Sequence, residues 1–512
     1  MRRRLLACAS FLVLSAGLTG FDRQDAVSSL WPDGGRSFVP QQPLADFSYA
    51  GYMRGEAPLP QRAPEVSVLD FGATPDDDSD DTEAFAKALA DSPGKCIGVP
   101  AGTYVLSDRL TIDRSGTVLK GEGSGKTILH FTRGLEEIEP RASRTGHGSQ
   151  TTAWSWSGGL IRMGLGGSPA TDPRARLSST SERGTHLLHL ADHGFATGDE
   201  LLIEAREVED GSLARYLYRG DVRESDTDIA NLRVSQVARV VSVDGGAVEI
   251  DRPLRFEARP EWVTVSRFAP GVVECGVEGL TIDFPARQYR GHFEEDGLNG
   301  VAVGNAAHSW VRDVEIVNAD SGIFVRGHFI TLDGIVIRTD REGDRAGMFG
   351  HHAIETSGTD NLVTNFDIRT RFIHDLTITR GSVGNVFASG RGDDLSMDHH
   401  RWAPYQNLFT DLDTGDGRRY FASGGTRTRG RHTAAGAVFW NIRGARPAKM
   451  PGSDFGPTGI FFVGVKGLSP EDARDGWHVE AIEPEALEPA NLYAAQLQRR
   501  LAQEAAGDRP PG

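Results

Sequence analysis

The residues best equipped for chemistry fall between Asn365 and His432, where ten Arg and eight Asp are interleaved with His374, His399, His400 and His432. The whole chain is acidic, with a formal charge of -16, so a local concentration of Arg stands out. Guanidinium groups pair bidentately with carboxylate or sulfate, which suits an anionic polymer. The alternative is a ladder of solvated charges on stacked strands. The chain has only six Lys, at 87, 95, 120, 126, 449 and 466. A proton-abstracting base in the middle of the chain must therefore be His, Arg or Tyr, and His374, His399, His400, Tyr405 and Tyr420 are the candidates. Arg371, Arg401, Arg418 and Arg419 are the candidates to neutralise developing negative charge.

Asp398-His399-His400-Arg401-Trp402 is the most promising run. Alternation along a strand sends His399 and His400 to opposite faces, so one of the two reaches a cleft; a buried His paired with Asp398 is the structural alternative. His374-Asp375 reads as an oriented base or as a capped turn. The expected catalytic set is His399, His400, His374, Arg401 and Arg419. The expected binding set is Arg371, Arg391, Trp402, Tyr405, His351 and His352, the last two lining the cleft or standing as solvated loop histidines. Asp393, Asp394 and Asp398 could bind calcium through oxygen ligands; no other cofactor is indicated. Trp402 is read as a sugar-stacking platform, and Trp154 and Trp156 as packing under a loop.

Recurring short strands must position these residues. Gly279–Ile282, Asp313–Ile316, Gly334–Ile337, Asn365–Ile368 and Asp375–Ile378 are followed by Asn407–Thr410 and Val438–Ile442. Ile316 to Ile337 spans about one coil of a solenoid, Ile368 lies one coil plus a loop further, and Ile378 fits a second strand of the same coil. Between about 131 and 265 the repeat lapses. Arg239–Val243, Asp244-Gly245-Gly246 and Ala247–Ile250 read there as a hairpin within a small antiparallel insertion.

From Val66 to Thr127 a short strand ends in Asp70-Phe71-Gly72-Ala73. Asp80-Asp81-Thr82 then caps a helix with one apolar stripe, in preference to binding calcium through Asp76 to Asp81. Val99-Pro100-Ala101-Gly102-Thr103-Tyr104 and Leu119-Lys120-Gly121-Glu122-Gly123 are strand-turn units. Gly121 to Thr127 lacks one residue of P-loop spacing and precedes a strand, so it is not a nucleotide site. This block resembles the opening of the pectate lyase-like superfamily. The resemblance implies an all-β, right-handed parallel β-helix with an N-terminal capping helix, and a secreted polysaccharide-acting enzyme.

Under that resemblance the expected reaction is β-elimination on a uronate-containing polysaccharide. A glycoside hydrolase using paired aspartates such as Asp393-Asp394 and a non-catalytic polysaccharide-binding β-helix are the alternatives. The polygalacturonase-like glycosidases carry Asn-Thr-Asp and Arg-Ile-Lys motifs, which are missing here. The chain's Gly146-His147-Gly148 precedes the Asp pair where that family places it after.

The expected organisation is a signal peptide (1–20), an extended arm (21–65), first coils with the capping helix (66–130), a β insertion (131–265), main coils (266–465) and a C-terminal segment with a helix over the last coil (466–512). Met1-Arg2-Arg3-Arg4 followed by apolar Leu5 to Leu18 reads as the signal peptide of a secreted or periplasmic protein, and Cys8 is too early for a lipoprotein box. No later stretch could span a bilayer. Loss of Arg2, Arg3 and Arg4 makes the chain still more acidic, against nucleic-acid binding. Cys96 and Cys275 could pair, but buried thiols in strands fit better. The oligomeric state stays open.

Overall fold

The computed structural model describes residues 26–507. The N-terminal apolar segment and the residues after Gly507 lie outside that range. The architecture is a stack of parallel strands in two sheets. The first runs, in chain order, through β1 (Leu110–Ile112), β2 (Ile161–Met163), β3 (Asn299–Ala307), β4 (Ser321–His328), β5 (Gly350–Thr356), β6 (Phe372–Ile378) and β7 (Met397–His399), each a direct neighbour of the next. The second has 15 strands and extends from Val66–Ser67 to His478–Glu480. Parallel neighbours need crossover connections, and here the chain crosses to the other sheet and back once per coil. The register bears out the repeat: Ile282 pairs with Ile316, Ile316 with Ile337, and Ile337 with Ile368. Ile378 stands in β6, on the other sheet of the same coil.

Period-two alternation decides what each face buries. Phe387, Phe409, Phe439 and Phe462 point inward and stack, with successive centroids 5.1, 5.5 and 5.2 Å apart. Their neighbours Val386, Leu408, Val438 and Phe461 point outward, under a second apolar layer formed by Leu44, Phe47 and Leu492. That layer belongs to the N-terminal arm and to the helix Leu492–Ala506. The helix therefore lies along the side of the solenoid rather than over its last coil. Gln496 Nε2 donates to Ala45 O at 3.0 Å and Tyr493 Oη to Ala50 O at 2.9 Å, tying helix to arm.

Helix Thr82–Asp91 places Phe85, Ala88 and Leu89 in the main core. Asp80 Oδ1 accepts from Thr82 N at 3.0 Å, and Asp81 Oδ1 accepts from Thr74 N at 2.8 Å. The acidic loop thus accepts from backbone N–H groups around the helix start, although its N-cap residue Asp81 makes no side-chain capping bond to the helix. Cys96 and Cys275 are both buried free thiols, so no bridge joins them.

Six antiparallel strands between Ala170 and Phe268 close into a barrel. Its hairpin turns at Gly245-Gly246, with Asp244 paired to Ala247. Ile161–Met163, expected outside the solenoid, pairs with β1 and β3 and belongs to it. The barrel docks through buried charge: Arg252 Nη1 lies 2.7 Å from Asp360 Oδ2 and Arg255 Nη2 2.7 Å from Asp360 Oδ1, with all three side chains at or below 1% exposure. Among the described residues no helix is long and apolar enough to cross a membrane.

Candidate active site

The site is built on the outer surface of β4 to β7 and on the loop 287–297. Pairing sets a column Phe324–Glu355–Thr377–Asp398 across four strands. The next column, Val325–Thr356–Ile378–His399, faces the core. His399 is accordingly fully buried, with Phe409, Phe439 and Phe455 at 5.2 to 5.6 Å. It packs the core and does not reach the cleft, which corrects its place in the catalytic set. Burial pushes its pKa down to about 4.

His400 takes the opposite course. Arg401, Trp402 and Ala403 follow it with φ of 67, 62 and 50°, a left-handed run that non-glycine residues adopt only when held there. His400 Nδ1 lies 2.8 Å from Asp398 Oδ2, and His374 Nδ1 lies 3.1 Å from the same oxygen. Asp398 also accepts from Gly424 N at 2.8 Å and from Thr377 Oγ1 at 3.2 Å. Burial alone would raise this carboxyl, but His400 and His374 hold it well below the usual range. Burial pushes His400 down, yet Asp398, helped by Glu355, leaves its pKa above the ordinary value. A Cβ on Gly424 would come 2.5 Å from Cε1 of both His374 and His400, so the loop needs glycine to pack on the two rings.

His292, His351, His352 and His374 continue the cluster. Ring centroids are 4.5 Å apart for His292–His351, 4.3 Å for His351–His352, 4.9 Å for His352–His374 and 4.7 Å for His374–His400. His351 and His352 are buried members of β5, not solvated loop residues. Burial lowers His292 to about 3 and His374 to about 4, and sets His352 well below its usual value. Glu295 lies 3.2 Å from His351 Nδ1 and accepts from Tyr289 Oη at 2.8 Å. Burial would raise Glu295, but His351 and these hydrogen bonds bring it to about 2. Arg341 fixes this corner: it pairs with Asp320 at 2.9 Å and donates to Phe349 O, while Asp320 O accepts from His351 N at 2.7 Å.

The sequence reading missed His292, Glu295 and Glu355. The first two arrive on a Gly-flanked loop, Gly291-His292-Phe293-Glu294-Glu295-Asp296-Gly297, whose aromatic and acidic density was the available signal. His292 stacks on Phe293 at 3.6 Å, and Trp156 meets that ring edge-on at 6.0 Å.

The arginines divide differently from expectation. Arg401 pairs with Asp454 at 2.7 Å and donates to Gly425 O and Gly430 O, clamping the loop beyond the site. Arg419 pairs with Asp375 at 2.7 Å and donates to Phe372 O and Asp394 O, bracing the start of β6. Both are committed to backbone carbonyls and to a carboxylate. Arg418 pairs with Asp416. Arg391 stands on the second sheet with Asp367 at 2.7 Å, away from the histidines. Arg371 lies at the entry to β6, beside Gly347. Tyr405 and Tyr420 are buried and donate to Arg255 O and Arg446 O.

Trp402, expected as a sugar-stacking platform, has guanidinium groups over its ring. Arg429 lies 3.7 Å and Arg380 4.6 Å from its ring centroid. Among the described residues neither arginine has a carboxylate within salt-bridge distance, and burial with mutual repulsion lowers Arg429. Arg380 and Trp402 line a pocket with Arg206 and Arg233 of the barrel.

The acidic calcium cluster does not assemble. Asp394 accepts from Arg418 N at 2.8 Å and from Arg419, Asp398 is saturated by the donors above, and Asp393 is exposed. Among the described residues, the groups able to hold an ion centre on histidine: His292, His351 and His374, and His374, Asp398 and His400.

Stacked parallel coils of this kind define a parallel β-helix fold. Residues 65–154 match the family described as "Rhamnogalacturonase A/epimerase, pectate lyase-like", the stretch that begins with the motifs of the resemblance. No curated protein matches. Similar solved structures include the tailspike protein gp49 of Pseudomonas phage LKA1, at 14% identity over 78% of this chain and 70% of that one, with a TM-score of 0.47. An alginate lyase of Paenibacillus sp. str. FPU-7 aligns at 11% identity over 78% and 93%, with a TM-score of 0.33. The Yersinia enterocolitica family 28 exopolygalacturonase aligns at 14% over 82% and 78%, with a TM-score of 0.28.

Proposed function

We propose that the protein is a secreted polysaccharide lyase that cleaves an anionic, uronate-containing polysaccharide by β-elimination, with His400 as the base. The observation that carries this reading is the Asp398–His400 pair at 2.8 Å, followed two residues on by Trp402, whose ring carries Arg380 and Arg429, arginines with no acidic partner among the described residues. With Nδ1 committed to Asp398, Nε2 is the nitrogen left for substrate, and the ring keeps 19% exposure. Such an orienting carboxylate fixes the tautomer and stabilises the imidazolium that forms on proton abstraction. Arg380 and Arg429 would bind the uronate carboxylate, onto which charge spreads as the C5 proton leaves. The C5–H electron pair then becomes the C4=C5 bond, and O4 departs with its own bonding pair.

A hydrolase needs one carboxyl kept protonated as general acid. Glu295 and Asp398, two carboxyls beside the histidines, are both held below the usual carboxylate range, so neither supplies that acid. Mass spectrometry of oligosaccharide products tests the reading. Elimination leaves a new non-reducing end lacking the elements of one water relative to the hydrolytic product, and products without that loss would overturn it.

A further inference from the structure

Three histidines from three separate elements converge next to the Asp398–His400 pair. His292 comes from the loop 287–297, His351 from β5 and His374 from β6. Each offers one ring nitrogen, and the three nitrogens lie within 4.8 Å of one another. Two observations separate this from chance crowding. First, His351 and His374 each turn Nδ1 toward a buried carboxylate, Glu295 at 3.2 Å and Asp398 at 3.1 Å. An imidazole whose Nδ1 faces a carboxylate would present Nε2 to an ion, as in carboxylate–histidine–metal arrangements. Second, both carboxylates are themselves held, Glu295 by Tyr289 Oη and Phe293 N, and Asp398 by Gly424 N and Thr377 Oγ1. The support therefore extends to a further layer of donors.

We propose that His292, His351 and His374 form a three-histidine site for a divalent transition-metal ion, zinc in the first instance. Three imidazoles and no carboxylate suit zinc and its neighbours and not calcium or magnesium, which take oxygen ligands. Because His292 is exposed, the remaining coordination position opens to the cleft, the pattern of catalytic rather than structural zinc. An ion held there supplies a Lewis acid beside His400. The inference goes beyond the polysaccharide reading and stands without it, since the site is defined by its ligands alone.

Metal binding tests it directly, with no substrate present. Protein stripped with chelator is titrated with Zn2+ by calorimetry, and with Co2+ by its visible ligand-field bands. One equivalent should bind, and the Co2+ bands should be those of nitrogen ligation. His292→Ala, on an exposed loop, should abolish stoichiometric binding while the thermal unfolding curve stays in place. Glu295→Gln should weaken binding roughly 10–100-fold. His193→Ala, remote on the barrel, should change nothing. Absence of a stoichiometric site, or binding that survives both His292→Ala and His351→Ala, overturns the proposal. An inactive protein that still binds zinc through these residues would count against the lyase reading alone.

Discussion

His399 and His400 are consecutive in the chain and lie on opposite sides of the sheet. The first is sealed among Phe409, Phe439 and Phe455; the second holds Nδ1 2.8 Å from Asp398. Their substitutions should therefore separate stability from turnover. His400→Ala should lower kcat by roughly 10²–10⁴-fold, the usual contribution of a general base, with the fold retained and some stability lost through the Asp398 carboxylate it leaves less well paired. His399→Ala should cost about 2–5 kcal/mol of stability through the cavity it opens, while His399→Phe keeps both fold and activity. Denaturant unfolding alongside steady-state kinetics distinguishes the two.

Gly424 presses on both imidazoles that Asp398 orients. Gly424→Ala should displace His374 and His400, reducing kcat at least tenfold while the melting temperature moves little. Full activity in this variant would show that the ring positions are not critical.

The pocket formed by Arg380 and Trp402 with Arg206 and Arg233 of the barrel, together with Arg429 stacked on Trp402, should act both in binding the polymer and in stabilising the charge that develops on its carboxylate. Arg429→Ala should raise KM for an anionic polymer several-fold and lower kcat as well, with the KM effect fading as salt screens the charge. Removal of a bidentate contact that acts only in the transition state would instead appear in kcat alone.

Much of the fold was legible because stacked coils repeat. The Ile316, Ile337 and Ile368 spacing gave the coil length, and those residues stand in register. The face assignment at 399 and 400 followed from alternation, although not which of the two would be outside. What stayed hidden was decided by coil stacking. Arg401 and Arg419 look like substrate arginines in sequence, yet their partners, Asp454 and Asp375, lie 53 and 44 residues away. Glu295 and His292 sit on a loop without periodicity, and only the solenoid brings them to His351.

Asp360 anchors the barrel to the solenoid. Burial would raise its pKa, but Arg252 and Arg255 hold it lowered. A depressed folded-state pKa stabilises above the unfolded value, about 3.9, and that stabilisation is lost as pH falls through the folded value below it. Asp360→Asn should cost roughly 3–5 kcal/mol at neutral pH by stranding two buried cations. It should also remove the part of the acid-induced loss that appears below about pH 4. Unfolding free energies measured from pH 7 to pH 2 would reveal both effects.

Cys96 and Cys275 are buried, and burial raises the Cys275 thiol to about 11. Neither should react with a thiol reagent in the native protein, both should react once it is unfolded, and reductant should leave the melting temperature unchanged.

The most direct test of the central claim follows ultraviolet absorbance and reducing ends together, while wild type and His400→Ala act on a panel of uronate-containing and neutral polysaccharides. The account predicts that wild type releases reducing ends from a uronate polymer with a matching rise in absorbance from the C4=C5 bond, and that His400→Ala does neither. Reducing ends without absorbance, or unchanged turnover by His400→Ala, would contradict it.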